Sequence, residues 1–217
     1  MLDLVLPQRC LVCGEGGVQL CDMCAQALPA LRPPLCDRCG APTAWPVQRC
    51  RECGGRRLGY ATARAATAYE GEVRTIVAAW KERGLRRLAE TAAAVVAERL
   101  PAPSADLVTF VPADHDRRLR RGHHPAGQLA EALAERWQLP CEPRLVRTGS
   151  SVRQRGLSLA ERRRNVVDAF RAERRLTGTI LLVDDVYTSG ATASAAASAL
   201  RATGAERVDV ITFTRAI

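Results

Sequence analysis

The stretch Ile180-Leu181-Leu182-Val183-Asp184-Asp185-Val186-Tyr187-Thr188-Ser189-Gly190-Ala191-Thr192 constrains the fold more than any other part of the chain. An apolar run suited to a buried strand ends in two adjacent carboxylates. A hydroxyl-rich loop with one glycine follows, and then an alanine-rich helical pattern. In open α/β sheets, ligands sit at the carboxyl ends of the strands, where Asp184 and Asp185 fall. A carboxylate pair accepts two hydrogen bonds from a vicinal diol. Gly190 permits close backbone approach, and the amides of the first helical turn face an anion. The unit suits a sugar phosphate. The plainer alternative is an ordinary βα turn capped by Thr188 or Ser189.

The rest of the chain supplies elements for such a sheet. Residues 60–69 alternate loosely and suggest a strand pair. Val73, Ile76, Val77 and Trp80 mark one helix face, which Gly84 interrupts, and Leu85, Leu88, Ala92, Val95 and Val96 mark a second, closed by Pro101 and Pro103. A strand is expected at residues 107–111, a charged loop at 113–125, and a helix carrying Leu129, Leu133 and Trp137. Further strands are expected at 141–146, 179–183 and 207–213, with a helix at 192–203. Residues 147–164 are polar and basic, as expected of a functional loop. Strands alternating with helices predict an α/β fold with a parallel sheet flanked by helices.

The first 53 residues hold four Cys-x-x-Cys pairs: Cys10/Cys13, Cys21/Cys24, Cys36/Cys39 and Cys50/Cys53. Two intervening residues let both thiolates of a knuckle face one ion, and two knuckles complete a tetrahedral structural zinc site. Disulfides and redox dithiols are the rivals. The regular spacing, and the lack of a basic leader followed by an apolar stretch, speak against a secreted disulfide domain. Sequential and crossed pairing both satisfy the spacing. Gly14, Gly40 and Gly54 follow three of the knuckles, where positive φ is expected. Residues 27–34, with three prolines, read as a linker between two ribbons. Few large apolar residues lie in 1–58, so metal is expected to supply much of that region's folding energy, about 10–16 kcal/mol per site. The expected division is a double zinc ribbon at 1–58 and an α/β domain at 59–217. Four thiolates leave no open coordination position, so zinc catalysis is not expected. Cys141 stands alone and reads as a packing residue.

The formal net charge is +9, from 32 basic and 23 acidic side chains, and all the basic ones but Lys81 are arginine. The excess sits in residues 114–175, which hold 15 basic and 8 acidic residues against 7 and 5 in residues 1–60. Such a field favours a polyanionic ligand or a nucleic acid. With nine aromatic residues, no stacking platform for single strands stands out. No run of 18 apolar residues is present, so no membrane insertion is expected, and a cytoplasmic location is the default. His115, His123 and His124 fall in one loop, read as solvated histidines near an anion rather than a transition-metal site.

The stretch 180–192 closely resembles the phosphoribosyl pyrophosphate (PRPP) motif of type I phosphoribosyltransferases. Val111-Pro112 with Arg117, Arg121 and Gly122 resembles the pyrophosphate-loop region of the ComF family. Gln154-Arg155-Gly156-Leu157-Ser158, with Glu161-Arg162 and Asn165-Val166, resembles that family's flexible-loop signature, and Trp80-Lys81-Glu82-Arg83-Gly84 resembles an upstream segment. The double ribbon fits as well, so the resemblance spans nearly the whole chain. It implies a type I phosphoribosyltransferase fold, PRPP binding with Mg²⁺, transfer of phosphoribosyl to an acceptor with release of pyrophosphate, and a link to DNA uptake in natural competence. On the matched positions, Asp184 and Asp185 would hold the ribose hydroxyls, and Val186 and Thr188, Ser189, Gly190, Ala191 and Thr192 would cradle the 5′-phosphate. Ala113, Asp114, Arg117 and Arg121 would meet pyrophosphate and Mg²⁺, and Arg153 and Arg155 would close over the reacting centre. Departures exist. His123-His124-Pro125 replaces a common Phe-Asn-Gln, and Thr188 stands where purine-salvage enzymes carry a base-facing acid, which argues against a hypoxanthine-type acceptor. The competing reading is a zinc-ribbon factor that binds single-stranded DNA or DNA-uptake proteins, with PRPP as ligand or regulator.

Overall fold

Leu181, Leu182 and Val183 are fully buried and Ile180 is nearly so, a pattern that only a central strand with both faces covered can produce. In the computed structural model, which describes residues 8–113, 122–148 and 169–217, these residues lie in β5. The strands are β1 (Thr62–Ala68), β2 (Leu107–Phe110), β3 (Leu145–Arg147), β4 (Phe170–Ala172), β5 (Thr179–Tyr187) and β6 (Arg207–Arg215). The helices are α1 (Asp22–Gln26), α2 (Glu72–Arg83), α3 (Leu88–Arg99), α4 (Pro125–Trp137) and α5 (Ala191–Ala202). Four strands form a parallel sheet in the order β1-β6-β5-β2. One face packs on α2, α3 and α4 through Leu181, Val183, Ile211 and Phe213. The other packs on α5 through Ile180, Leu182, Val208 and Val210. Burying each such side chain is worth roughly 1.5–3 kcal/mol.

Several elements differ from the sequence expectation. Residues 60–69 form one strand, not a pair: β1 pairs with β6, and its free edge is covered because the Ala63 and Ala68 amides donate to the carbonyls of Arg38 and Pro29 (2.8 and 2.9 Å). The segment 27–34 is therefore docked, with Leu28 and Leu31 buried. The expected strand 141–146 is divided. Cys141 makes a parallel bridge to Val108 at the outer side of β2, and only 145–147 pair with the unforeseen β4, in a separate antiparallel sheet. The second helix begins at Leu88, because residues 84–87 form a turn. Trp137 is only half-buried, at the end of α4. The strand expected at 179–183 runs on through both aspartates to Tyr187, since β6 is equally long and pairs Asp184 with Thr212, and Val186 with Thr214.

The chain moves from β2 through α4 to Cys141 on one face, and from β5 through α5 to β6 on the other. These connections leave adjacent strands in opposite directions. A crevice therefore opens between the carboxyl ends of β2 and β5, where such sheets take ligands.

The cysteines form two quartets, Cys10/Cys13/Cys21/Cys24 and Cys36/Cys39/Cys50/Cys53, each with its sulfurs within 4.8 Å of one another. Pairing is sequential, not crossed. Sulfur separations of 3.7 Å (Cys13–Cys21), 3.7 Å (Cys36–Cys53) and 3.5 Å (Cys39–Cys50) match the edge of a tetrahedron with zinc–sulfur bonds of about 2.3 Å. Every knuckle closes with the same backbone bond, from the residue after the second cysteine to the first cysteine's carbonyl: Gly14 to Cys10, Ala25 to Cys21, Gly40 to Cys36 and Gly54 to Cys50. Gly14 and Gly40 have positive φ as expected, but after Cys53 it is Gly55, not Gly54, because the turn there continues one residue further. The donor set is consistent with two structural zinc ions. Metal analysis of the purified protein is expected to find two zinc ions per chain, and stripping them should unfold the region around the quartets and uncover the β1 edge. A metal-free protein that keeps this region protected from hydrogen exchange would contradict the assignment.

Candidate functional site

Two carboxylates at the end of a strand are costly unless something offsets their desolvation and mutual repulsion. Lys81, on α2, places its Nζ 2.6 Å from Asp185 Oδ1, with both side chains mostly buried. Asp184 Oδ1 accepts the Asp185 amide at 2.9 Å. This is incomplete compensation for Asp184. Burial, and then the neighbouring Asp185 carboxylate, push its carboxyl up to about 8 despite the opposing pull of Lys81 and Arg147. Successive residues of a strand point to opposite faces, yet both aspartates border one cleft of about 540 Å³, because the sheet ends there. Tyr69, Lys81, Ala113, His124, Arg147, Val186, Thr188 and Thr192 also line it.

The loop after β5 is shaped by Gly190, whose φ of 70° lies in the left-handed region and where a Cβ would collide with the Tyr187 hydroxyl. No side chain caps α5 at Gly190, and Ser189 Oγ lies a long 3.4 Å from the Ala191 amide. The Ser189 hydroxyl therefore caps the start of α5 only through this long contact, and the first-turn amides keep their partial positive charge. Tyr187 is held from behind: its hydroxyl meets that of Tyr60 at 2.6 Å, and the Arg215 guanidinium lies 4.5 Å over its ring. Burial raises the pKa of both phenols, which keeps the pair neutral.

Of the residues singled out in the sequence, Asp184, Asp185, Val186, Thr188, Thr192 and Ala113 are brought together around the cleft, and Ser189, Gly190 and Ala191 form the loop and helix start beside it. Asp114, His115, Arg117, Arg121, Arg153 and Arg155, with the signature residues Gln154, Glu161, Arg162 and Asn165, lie outside the described residues. Of the two other histidines, His123 is buried rather than solvated, and His124 is half-buried at the rim of the cleft. His123 is 7% exposed, with Nε2 2.7 Å from the Trp80 carbonyl. His124 is the N-cap of α4, its Nδ1 accepting the Gly127 amide at 2.7 Å. Among the described residues, the cysteine quartets are the only groups of three or more histidine, cysteine or carboxylate side chains whose ligand atoms lie within 4.8 Å of one another.

Sequence reasoning missed Lys81, Arg147 and the supporting Tyr60, Tyr187 and Arg215 as parts of the site. Lys81 had a signal: it is the single lysine in a chain that otherwise uses arginine for every base. A compact ammonium fits between α2 and a carboxylate where a planar guanidinium does not substitute for it. Arg147 had none, since its position depends on the hairpin with β4.

A family model for a double zinc ribbon domain matches residues 1–55. The chain is 30% identical to DNA utilization protein YhgH of Salmonella typhi over 95% of its own length and 96% of that protein's. It is 28% identical to competence protein F of Haemophilus influenzae, over 96% and 97% of the two chains. It is also 28% identical to DNA utilization protein YhgH of Escherichia coli K12, over 95% and 96%. Among the described residues, no helix is long and apolar enough to cross a membrane.

Because the folded protein raises the Asp184 pKa above its unfolded value of about 4, the native state binds the proton more tightly. Its stabilising effect is complete below about pH 4 and is lost as pH rises toward about 8. Asp184→Asn is therefore expected to melt close to the parent protein at pH 4 and progressively above it toward pH 8.5. The gap should reach several degrees, since 1 kcal/mol is about 2–4 °C for a chain of this size. A gap that does not change with pH would remove the assigned environment of Asp184.

Proposed function

We propose that this chain, which belongs to the ComF family of competence and DNA utilization proteins, binds PRPP with Mg²⁺ in the cleft at the end of β5 and transfers its phosphoribosyl group to an acceptor, with release of pyrophosphate, in a role linked to DNA uptake. The observation that carries this reading is the juxtaposition of Asp184 and Asp185 with Thr188, Thr192 and the start of α5 around one crevice at the sheet's switch point. The carboxylates take the ribose diol, and Thr188, Thr192 and the amides around Gly190 take the 5′-phosphate. The pyrophosphate loop that begins at Ala113, with the hard carboxylate oxygens of Asp114, would meet Mg²⁺, which when bound with the donor would neutralise pyrophosphate charge. Lys81 and Arg147 bring fixed positive charge to the same cleft, where pyrophosphate leaves with the electron pair of the C1′–O bond as an acceptor atom bonds to C1′. The type I phosphoribosyltransferase fold, the division at residues 58/59 and the roles of Asp114, Arg117, Arg121, Arg153 and Arg155 belong to this proposal.

Calorimetric titration of PRPP with Mg²⁺ into the protein should give saturable binding. The double variant Asp184→Asn/Asp185→Asn should lose at least about tenfold in affinity, one charge-assisted hydrogen bond being worth about 1.5–3 kcal/mol. Equal binding by parent and variant would remove the site assignment. Pyrophosphate release across acceptor classes then separates an enzyme from a protein that holds PRPP only as a ligand.

One observation favours the second reading, a single-stranded DNA-binding factor. Trp45 in the second ribbon is 68% exposed, beside a groove also lined by Arg49 and Arg51, and offers one ring for stacking. Stacking on a base is worth about 1–3 kcal/mol, so Trp45→Ala should weaken single-stranded DNA binding by about fivefold or more. It should leave the salt slope set by the arginines unchanged. Unaltered DNA affinity in this variant would dismiss Trp45 as a platform.

A further inference from the structure

The two ribbons attach to the sheet in different ways, and among the described residues only the second reaches the anion loop. The first ribbon packs on α3 through Leu20, Ala25 and Leu28, and Arg99 donates to the carbonyls of Ala25 and Gln26 (3.2 and 2.9 Å). The second ribbon meets the loop directly. Arg56, three residues beyond the last cysteine, donates from Nη1 to the Ser189 carbonyl at 2.8 Å. A second link runs through Arg215, which is 1% exposed, donates to the Cys39 carbonyl at 2.8 Å, pairs with Glu52, and lies over the ring of Tyr187. Tyr187 in turn fills the space against Gly190.

We propose that the second ribbon is a working part of the phosphate pocket: Arg56 is a positioning residue that orients the Ser189–Gly190 peptide for anion binding, whereas the first ribbon has no such part. The inference rests on the phosphate site proposed above. In a trans peptide the carbonyl and the next N–H point in opposite directions. A guanidinium that holds the Ser189 carbonyl toward the ribbon therefore turns the Gly190 N–H away from it, and Thr188, just before this peptide, and Thr192, two residues after it, border the cleft. The Arg56 charge adds to the helix N-terminus field without entering the cleft lining. Arg215 and Tyr187 back the same peptide, so the loop is clamped at its carbonyl and beneath its glycine.

The test uses the full-length, zinc-loaded protein, ribose 5-phosphate as the probe, and the variants Arg56→Ala, Arg56→Lys and Arg99→Ala. Affinity is read by calorimetry and loop order by hydrogen exchange of peptides spanning residues 188–192. Arg56→Ala is expected to weaken the probe about five- to tenfold and to speed exchange in that peptide, while the melting temperature stays near the parent's. Arg56→Lys, a cation able to donate to the same carbonyl, is expected to recover most of the affinity, and Arg99→Ala to change neither readout. If the parent binds the probe while Arg56→Ala matches it in both affinity and exchange, the inference is wrong and the phosphate site stands. If Arg99→Ala produces the same losses, the ribbons act only through general stability and the inference is equally overturned. If the parent does not bind the probe, the phosphate site itself falls, and the inference with it.

Discussion

Parallel pairing of β5 with β6 as far as Tyr187 is the constraint from which the rest of the site follows. Had the ladder stopped at Val183, Asp184 and Asp185 would sit on a free loop with water to solvate them. Instead Asp184 pairs with Thr212 and Val186 with Thr214, so both acids are fixed to a rigid strand at the sheet's end. A rigid backbone there concentrates negative charge where solvation is poor. Lys81 answers Asp185, while Asp184, whose hydrogen-bond partner among the described residues is the Asp185 amide, keeps a raised pKa. Such a site is unfavourable for folding and favourable for a ligand that brings hydroxyls or a cation to the acids. The same ladder also sets where Gly190 turns, and so where the amides of α5 face.

The cysteine ribbons solve a different problem. A four-stranded parallel sheet leaves an edge, and β1, rich in alanine, offers little side-chain bulk to protect it. The ribbon and its proline-rich connection supply the missing hydrogen-bond partners at Arg38 and Pro29. The second ribbon fits so closely that a Cβ at Gly40 would lie 2.5 Å from the Ala63 carbonyl. The cysteine quartets, whose donor set suits structural zinc, thus underlie the edge cover, and the second brings Arg56 and Glu52 to the far side of the loop that follows β5.

Local signals were legible in the sequence, and long-range ones were not. The acids, the glycine turn and the cysteine knuckles are set by neighbours in the chain, and the spacing of Val73, Ile76, Val77 and Trp80 marked a helix face that is buried as read. The length of β5 was misjudged because it depends on β6, some thirty positions away. The β3–β4 hairpin was missed because its halves are short and separated by a long polar segment, so neither shows a period. Arg215 was overlooked because it sits at the end of β6 and gains its role from a cysteine carbonyl 176 residues earlier. Trp45 read as one aromatic among few, and only the fold shows that it is on the surface.

The most direct measurement is a crystal structure of the zinc-loaded protein with ribose 5-phosphate diffused into the cleft. The account predicts the phosphate over the amides at the start of α5, and the 2′- and 3′-hydroxyls on Asp184 and Asp185, with Lys81 still close to the acids. A cleft that stays empty at saturating ligand, or a sugar phosphate seated elsewhere on the chain, would contradict it.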